Sequence, residues 1–380
     1  MVGNFLEMEL AKGGSAVSII KLVSLMIDEA QEMRASDIHI DPQRESLRIR
    51  YRVDGWLSDR CLVSKRFHQE IISRIKVMSG LRTDEHQAPQ DGRFRAGSDA
   101  SPIDVRVSVM PTYHGENVVM RLLSDKNEMF TLETLGFSSE NAQKIFEAIK
   151  KPYGMILATG PTGSGKTTTL YTLLKILNTP QVSIITVEDP VEYAIDGIEQ
   201  IQVNPRTGLA FANGLRSILR QDPNIIMVGE VRDAETAGIA VNTALTGHLV
   251  LSTLHTNDAS ESIRRIVDVF PLAYQSQVST QLSFTLSGVI NQLLLPSTEE
   301  KGNTRVLSTE VMIVTPAIRS MIRENKVEHI YSHIQMGTKQ GMKTMNQSLY
   351  ELIMRNRISE EEALANTTKG KELSSLLAEA

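Results

Sequence analysis

Eight consecutive residues, Gly160-Pro161-Thr162-Gly163-Ser164-Gly165-Lys166-Thr167, have the types and spacing to hold phosphate. Glycines let a backbone fold round a phosphate with its N–H groups pointing inward, Lys166 can neutralise the outer phosphates, and the Thr167 hydroxyl can ligate Mg²⁺. Thr168 continues the loop. An apolar run, Met155 to Ala158, leads in, and Leu170, Leu173, Leu174 and Ile176 follow at helical spacing. That is the strand–loop–helix context such a loop requires, and the ligand it implies is a nucleoside triphosphate, ATP, with Mg²⁺.

Hydrolysis of a bound triphosphate needs a carboxylate near the metal, a carboxylate to position or deprotonate water, and a group that senses the γ-phosphate. Ser183 to Val187 is an apolar run that ends in Glu188-Asp189-Pro190. Its carboxylates should emerge at the C-terminal edge of a parallel sheet, beside the phosphate loop, and Glu188 is the choice for activating water. Glu-Asp-Pro is also good turn chemistry. A second apolar run, Ile225 to Val228, leads through Gly229 to Glu230, which could reach the metal shell or help position the nucleophile. Glycine stands there where many phosphate-loop enzymes carry a metal-binding aspartate, so the division of labour between Glu188 and Glu230 stays open. His248 and His255 bracket a third run, and an imidazole at a strand end can bond and release a γ-phosphate. A lone histidine is more often a structural hydrogen-bonder; of the two, His255 is the better candidate.

The elements that must position these residues follow a βαβ rhythm, with strands at 183–187, 225–228 and 249–252, which predicts a parallel sheet with helices on its faces. From Thr315 the pattern turns helical, with Ala317, Ile318, Met321 and Ile322 on one face, and the last dozen residues read as a frayed tail. Upstream lies an α/β unit of about 120 residues. It holds a helix over Val17 to Met33, a hairpin of Ile38/Ile40 and Leu47 to Val53 closed after Asp54-Gly55, a helix with Ile71, Ile72, Ile75 and Met78, and strands near Phe94, Val105 to Val109 and Val118 to Leu123. The domains expected are 1–123, a linker at 124–135, a motor core at 136–296 and a helical C-terminal region at 297–380.

At 380 residues, 41% hydrophobic and 22% charged, the chain has the composition of an ordinary globular protein. A net charge of −5 gives no bulk attraction to nucleic acid or anionic lipid, and no long basic block appears. The single cysteine, Cys61, cannot make an internal disulfide; it reads as a buried structural thiol in a reducing cytoplasm. No apolar run approaches the roughly 20 residues that span a bilayer, so any membrane association is expected to go through partners.

Together the phosphate loop, the Glu188 and Glu230 segments and the His248–His255 segment resemble the secretion ATPase superfamily, whose members power type II secretion and assemble or retract type IV pili. The likeness extends over Ala35-Ser-Asp-Ile-His-Ile, Arg50-Tyr-Arg-Val-Asp-Gly, Gln90-Asp-Gly-Arg-Phe and Arg106-Val-Ser-Val-Met-Pro-Thr. It implies an α/β fold: a small PAS-like N-terminal domain, then a RecA-like phosphate-loop ATPase domain with a helical C-terminal part. It also implies a cytoplasmic homo-hexamer that works at the inner membrane through a platform protein. Arg106 and Arg121, by sequence alone residues of a solvated strand face, match the two arginines that reach the nucleotide from the small domain.

Within the superfamily, the C-terminal region lacks the four-cysteine motif of assembly and secretion members, and few residues precede the first helix. Ala317-Ile-Arg-Ser-Met-Ile-Arg-Glu324 looks like a motif of pilus retraction ATPases. These features favour retraction, whereas Leu219 to Arg232 reads more like an assembly ATPase. The alternatives outside the superfamily are a RecA-like motor on nucleic acid, which the charge disfavours, and a scaffold that binds ATP without hydrolysing it.

Overall fold

The structure, a computed structural model, describes residues 17–53, 56–98, 101–124, 130–204, 207–298 and 305–378. It divides into two compact units, Met1–Asn127 and Glu128–Ala380. The Asp54-Gly55 turn and residues 125–129 of the expected linker lie outside the described residues.

In the small unit, α1 (Ile19–Glu32) and α2 (His68–Met78) accompany six strands. These are β1 (Ala35–Pro42), β2 (Ser46–Val53), β3 (Trp56–Ser64), β4 (Gln90–Ser98), β5 (Ser101–Thr112) and β6 (Gly115–Ser124). All pairings are antiparallel, in the order β3-β2-β1-β6-β5-β4. Alternation sorts the two faces. Ile38, Ile40, Leu47, Ile49, Tyr51, Val105, Val107 and Met120 pack against Leu22, Met26 and Ile27 of α1 and Ile71, Ile72 and Ile75 of α2. The residues between them point to the other face, which neither α1 nor α2, the α-helices among the described residues of this unit, covers. β3 escaped the sequence reading because it is an edge strand with most positions exposed, Trp56 at 78%. Cys61 on it is half-buried rather than buried.

The large unit opens with α3 (Leu132–Leu135) and α4 (Ser139–Ile149), and then alternates β7 (Gly154–Thr159), α5 (Lys166–Leu177), β8 (Ile184–Glu188), β9 (Glu199–Gln202), α6 (Phe211–Ile218), β10 (Ile225–Val228), α7 (Ala234–Leu245) and β11 (Leu249–Leu254). After α8 (Ala259–Asp268) and α9 (Leu272–Thr285) come β12 (Leu286–Pro296) and β13 (Arg305–Ile313). Helices α10 (Pro316–Arg323), α11 (Ile330–Met336), α12 (Met345–Met354), α13 (Glu360–Asn366) and α14 (Gly370–Ala378) complete it. The sheet order is β13-β12-β7-β11-β10-β8-β9, parallel throughout except for β13. Every residue of β7, β8, β10 and β11 is buried, as expected where helices cover both faces. One face packs Leu157, Val187, Val228 and Val250 on α6 to α9, and the other packs Ile156, Ala158, Met227 and Leu251 on α4 and α5.

Two expectations need correction. The region from 297 is not helical throughout: β13 lies within it and pairs with β12 from Gly288↔Ile313 to Pro296↔Arg305, so the sheet runs across that boundary. The last dozen residues are not frayed over their described length, because α14 anchors Leu373 in a core with Leu349 and Ile358. The sheets end in guarded edges: β9 is four residues long, β13 is bridged by Lys343 at Val311, β3 carries Asp59 in a bidentate pair with Arg48, and β4 exposes Asp91, Arg93 and Arg95.

Candidate nucleotide-binding site

Because β7, β8, β10 and β11 are parallel and in register, with Thr159 opposite Leu254 and Val187 opposite Val228, they release the chain at one edge. The phosphate loop, Glu188, Glu230 and His255 therefore meet around a cleft of about 700 Å³. Among the residues lining it are Gly163, Gly165, Lys166, Thr167 and Thr168.

The loop is built on glycines in the left-handed region: Gly160, Gly163 and Gly165 have φ of 134°, 79° and 89°. A Cβ on Gly160 would lie 2.3 Å from Gln292 O, so no side chain fits there, whereas one on Gly163 would meet nothing within 4 Å. Gly163 is thus required for conformation and Gly160 for both conformation and space. Lys166, buried at the start of α5, donates from Nζ to Gly160 O at 2.9 Å and Pro161 O at 2.8 Å. Burial lowers its pKa, and the nearby Glu230 opposes that shift. Ser164 Oγ is buried with no hydrogen-bond partner.

This cradle fits a triphosphate: a loop of left-handed glycines, a buried cation and an unpartnered hydroxyl at a helix N-terminus. Thr167 is half-buried on the first turn of α5. Among the described residues no three His, Cys, Asp or Glu form a cluster that could hold a metal ion.

Glu188 and Glu230 occupy unlike surroundings. Glu188 is buried; its carboxylate accepts from Thr186 Oγ1 at 2.5 Å, from Gln200 Nε2 at 3.2 Å and from the Tyr171 hydroxyl. Burial raises its pKa, and those three donors oppose the rise. Glu230 reaches Arg232 through one oxygen and has His255 Nε2 3.9 Å from the other. Gly229 earns its place sterically: a Cβ there would lie 3.2 Å from Glu188 Cα and 3.3 Å from Val187 O. Burial first and Lys166 second lower the pKa of His255, while the nearby Glu230 opposes that shift.

His248 is not in the cleft. It precedes β11, while His255 follows it, and its carbonyl accepts from Gly154 N at the start of β7. Its Nδ1 lies 3.2 Å from Thr243 O. Six strand residues separate the histidines, about 20 Å at ~3.3 Å per residue, so His248 closes a turn at the opposite edge.

Arg106 and Arg121 lie in the small unit, directly opposite each other on β5 and β6, on the face turned away from α1 and α2. Tyr171, Gln200 and Arg232 escaped the sequence reading. So did Asn291, whose Nδ2 donates to Thr159 Oγ1 and Thr256 O, and Gln292, whose Nε2 donates to Thr169 Oγ1. Adjacent amides inside the apolar run of β12 were the available signal, since buried amides need partners.

The comparisons with known proteins agree with this geometry. Residues 13–373 match the model of the Type II/IV secretion system protein family. The chain is 51% identical over 281 residues to a type II secretion system protein E of Xanthomonas campestris pv. campestris, covering 74% of this chain and 48% of that protein. It is 48% identical over 262 residues to the type IV pilus assembly ATPase PilB of Myxococcus xanthus, covering 69% of this chain and 46% of that one. The chain thus spans about half the length of these curated relatives. Among solved structures, the pilus retraction motor PilT with bound ADP superposes with a TM-score of 0.77 and 36% identity, covering 92% of this chain and 98% of that chain. The Legionella pneumophila ATPase DotB gives a TM-score of 0.74 and 26% identity, covering 95% of this chain and 96% of that one. Similarity across nearly the whole chain, together with a RecA-like domain preceded by a small PAS-like α/β domain, makes this protein a member of the type II/IV secretion system protein family.

Proposed function

We propose that this chain hydrolyses ATP with Mg²⁺ as one subunit of a hexameric ring that drives a type IV pilus or type II secretion machine through a platform protein of the inner membrane. The observation that carries the reading is the cleft, where a phosphate loop, Glu188, Glu230 and His255 converge at one sheet edge. Lys166 and the loop N–H groups hold the phosphates, and Thr167 is the ligand offered to Mg²⁺, which would supply charge neutralisation on the β- and γ-phosphates. Glu230 takes the water-positioning role, because Glu188 is already engaged by three donors. His255 contacts the γ-phosphate. Arg106 and Arg121 stabilise charge on it from a small unit, in the manner of arginine fingers.

Pilus retraction is the favoured machine, on the near-complete coverage of the retraction motor's chain and the sequence at Ala317 to Glu324. The 51% identity to a type II secretion protein E favours the second reading, an assembly or secretion motor. The deciding experiment replaces the chromosomal gene with its Lys166→Ala form. Abundant immobile pili support retraction, while bald cells or loss of exported enzymes support the second reading. An unchanged ATPase rate in the purified variant overturns both.

A further inference from the structure

The face of the small sheet opposite α1 and α2 carries a row of five residues from five adjacent strands: Arg52, Asp37, Arg121, Arg106 and Arg93, each in register with the next. Like charges directly opposite on neighbouring strands repel, and this row sets three arginines side by side. One carboxylate interrupts it. Asp37, with its side chain 8% exposed, accepts from Arg121 Nε at 3.1 Å and from Ser36 Oγ at 2.8 Å, and lies 3.5 Å from Arg52 Nε. A carboxylate on Nε fixes the guanidinium plane while leaving the terminal Nη nitrogens for a second oxyanion. The Arg121 side chain is 63% exposed, so that end is open to a ligand.

We propose that Asp37 is a positioning residue for Arg121, holding its guanidinium ready for a nucleotide phosphate; the proposal rests on the reading that the small unit serves the nucleotide. Asp37 is the most buried carboxylate in the arginine pairs of this face: its side chain is 8% exposed, against 21% for Asp41, 38% for Asp104 and 61% for Asp59.

The test is a double-mutant cycle in the full chain, reading steady-state ATPase activity and thermal unfolding. Asp37→Ala should lower kcat about ten-fold, the usual scale for a residue acting through another, with KM little changed. In an Arg121→Ala background it should lower kcat no further. Asp37→Asn keeps an oxygen for Arg121 Nε, so it should retain more activity than Asp37→Ala, and it replaces that variant in the cycle should alanine prevent folding. An equal loss in both backgrounds, tracking a lowered melting temperature, overturns the positioning role alone. Arg121→Ala as active as the parent overturns the proposal together with its premise, while an inactive Lys166→Ala in the same assay leaves the ATPase reading standing.

Discussion

Glu188 and Glu230 stand at the ends of neighbouring strands and differ in what already occupies their oxygens. Two hydroxyls and an amide converge on Glu188, whereas Glu230 faces Arg232 and His255. Glu230→Gln should therefore reduce kcat by about 10² to 10⁴, the range for loss of a general base, while nucleotide still binds. Glu188→Gln should cost about ten-fold or less, because hydroxyls can rotate to accept from an amide. A larger loss in Glu188→Gln than in Glu230→Gln, measured side by side, would reverse the assignment. The residue types of this site were legible in the sequence because each follows an apolar run and parallel strands share an exit edge. What the sequence did not carry was occupancy. Tyr171 and Gln200 reach Glu188 from α5 and β9 only through the fold, so the sequence left the division of labour open.

At the scale of elements, legibility tracked burial. β7, β8, β10 and β11 read cleanly because both faces are covered, whereas β12 and β13 are interrupted by buried polar residues that the apolar pattern cannot accommodate. One of these, Glu310 on β13, is buried between two helix starts and accepts from Ala259 N of α8 at 2.8 Å and Met345 N of α12 at 3.4 Å. Burial pushes its carboxyl up to about 7. An acid with a raised folded pKa binds more protons folded than unfolded, so its contribution to stability falls as pH rises from about 4.5 through 7. Replacing it with the neutral Glu310→Gln should remove that slope. The prediction is that the parent loses more melting temperature between pH 5 and pH 8 than the variant does, and parallel pH profiles would refute it.

At the scale of the whole molecule, the family assignment places the chain among type II/IV secretion system proteins, and the proposed ring makes each active site depend on more than one subunit. If Arg106 acts across a subunit boundary, Arg106→Ala subunits mixed into parent protein should depress activity more than in proportion to their fraction. Activity that falls linearly with the fraction of variant would mean self-contained sites. The one-sided small sheet was only partly legible: the apolar alternation of β1 and β2 predicted a covered face, but the arginines across strands become a row only once register is known. The guarded sheet edges bear on assembly as well. Edge strands with unpaired N–H and C=O groups invite pairing with another chain, and a short β9, a bridged β13 and the charged β3 and β4 each discourage it. Subunits of this protein would then meet through side chains rather than through a shared backbone ladder. Contacts of that kind can slide and re-form, which a continuous intermolecular sheet could not do without breaking many hydrogen bonds at once, and a concentrated solution should gain neither strand content nor affinity for amyloid dyes.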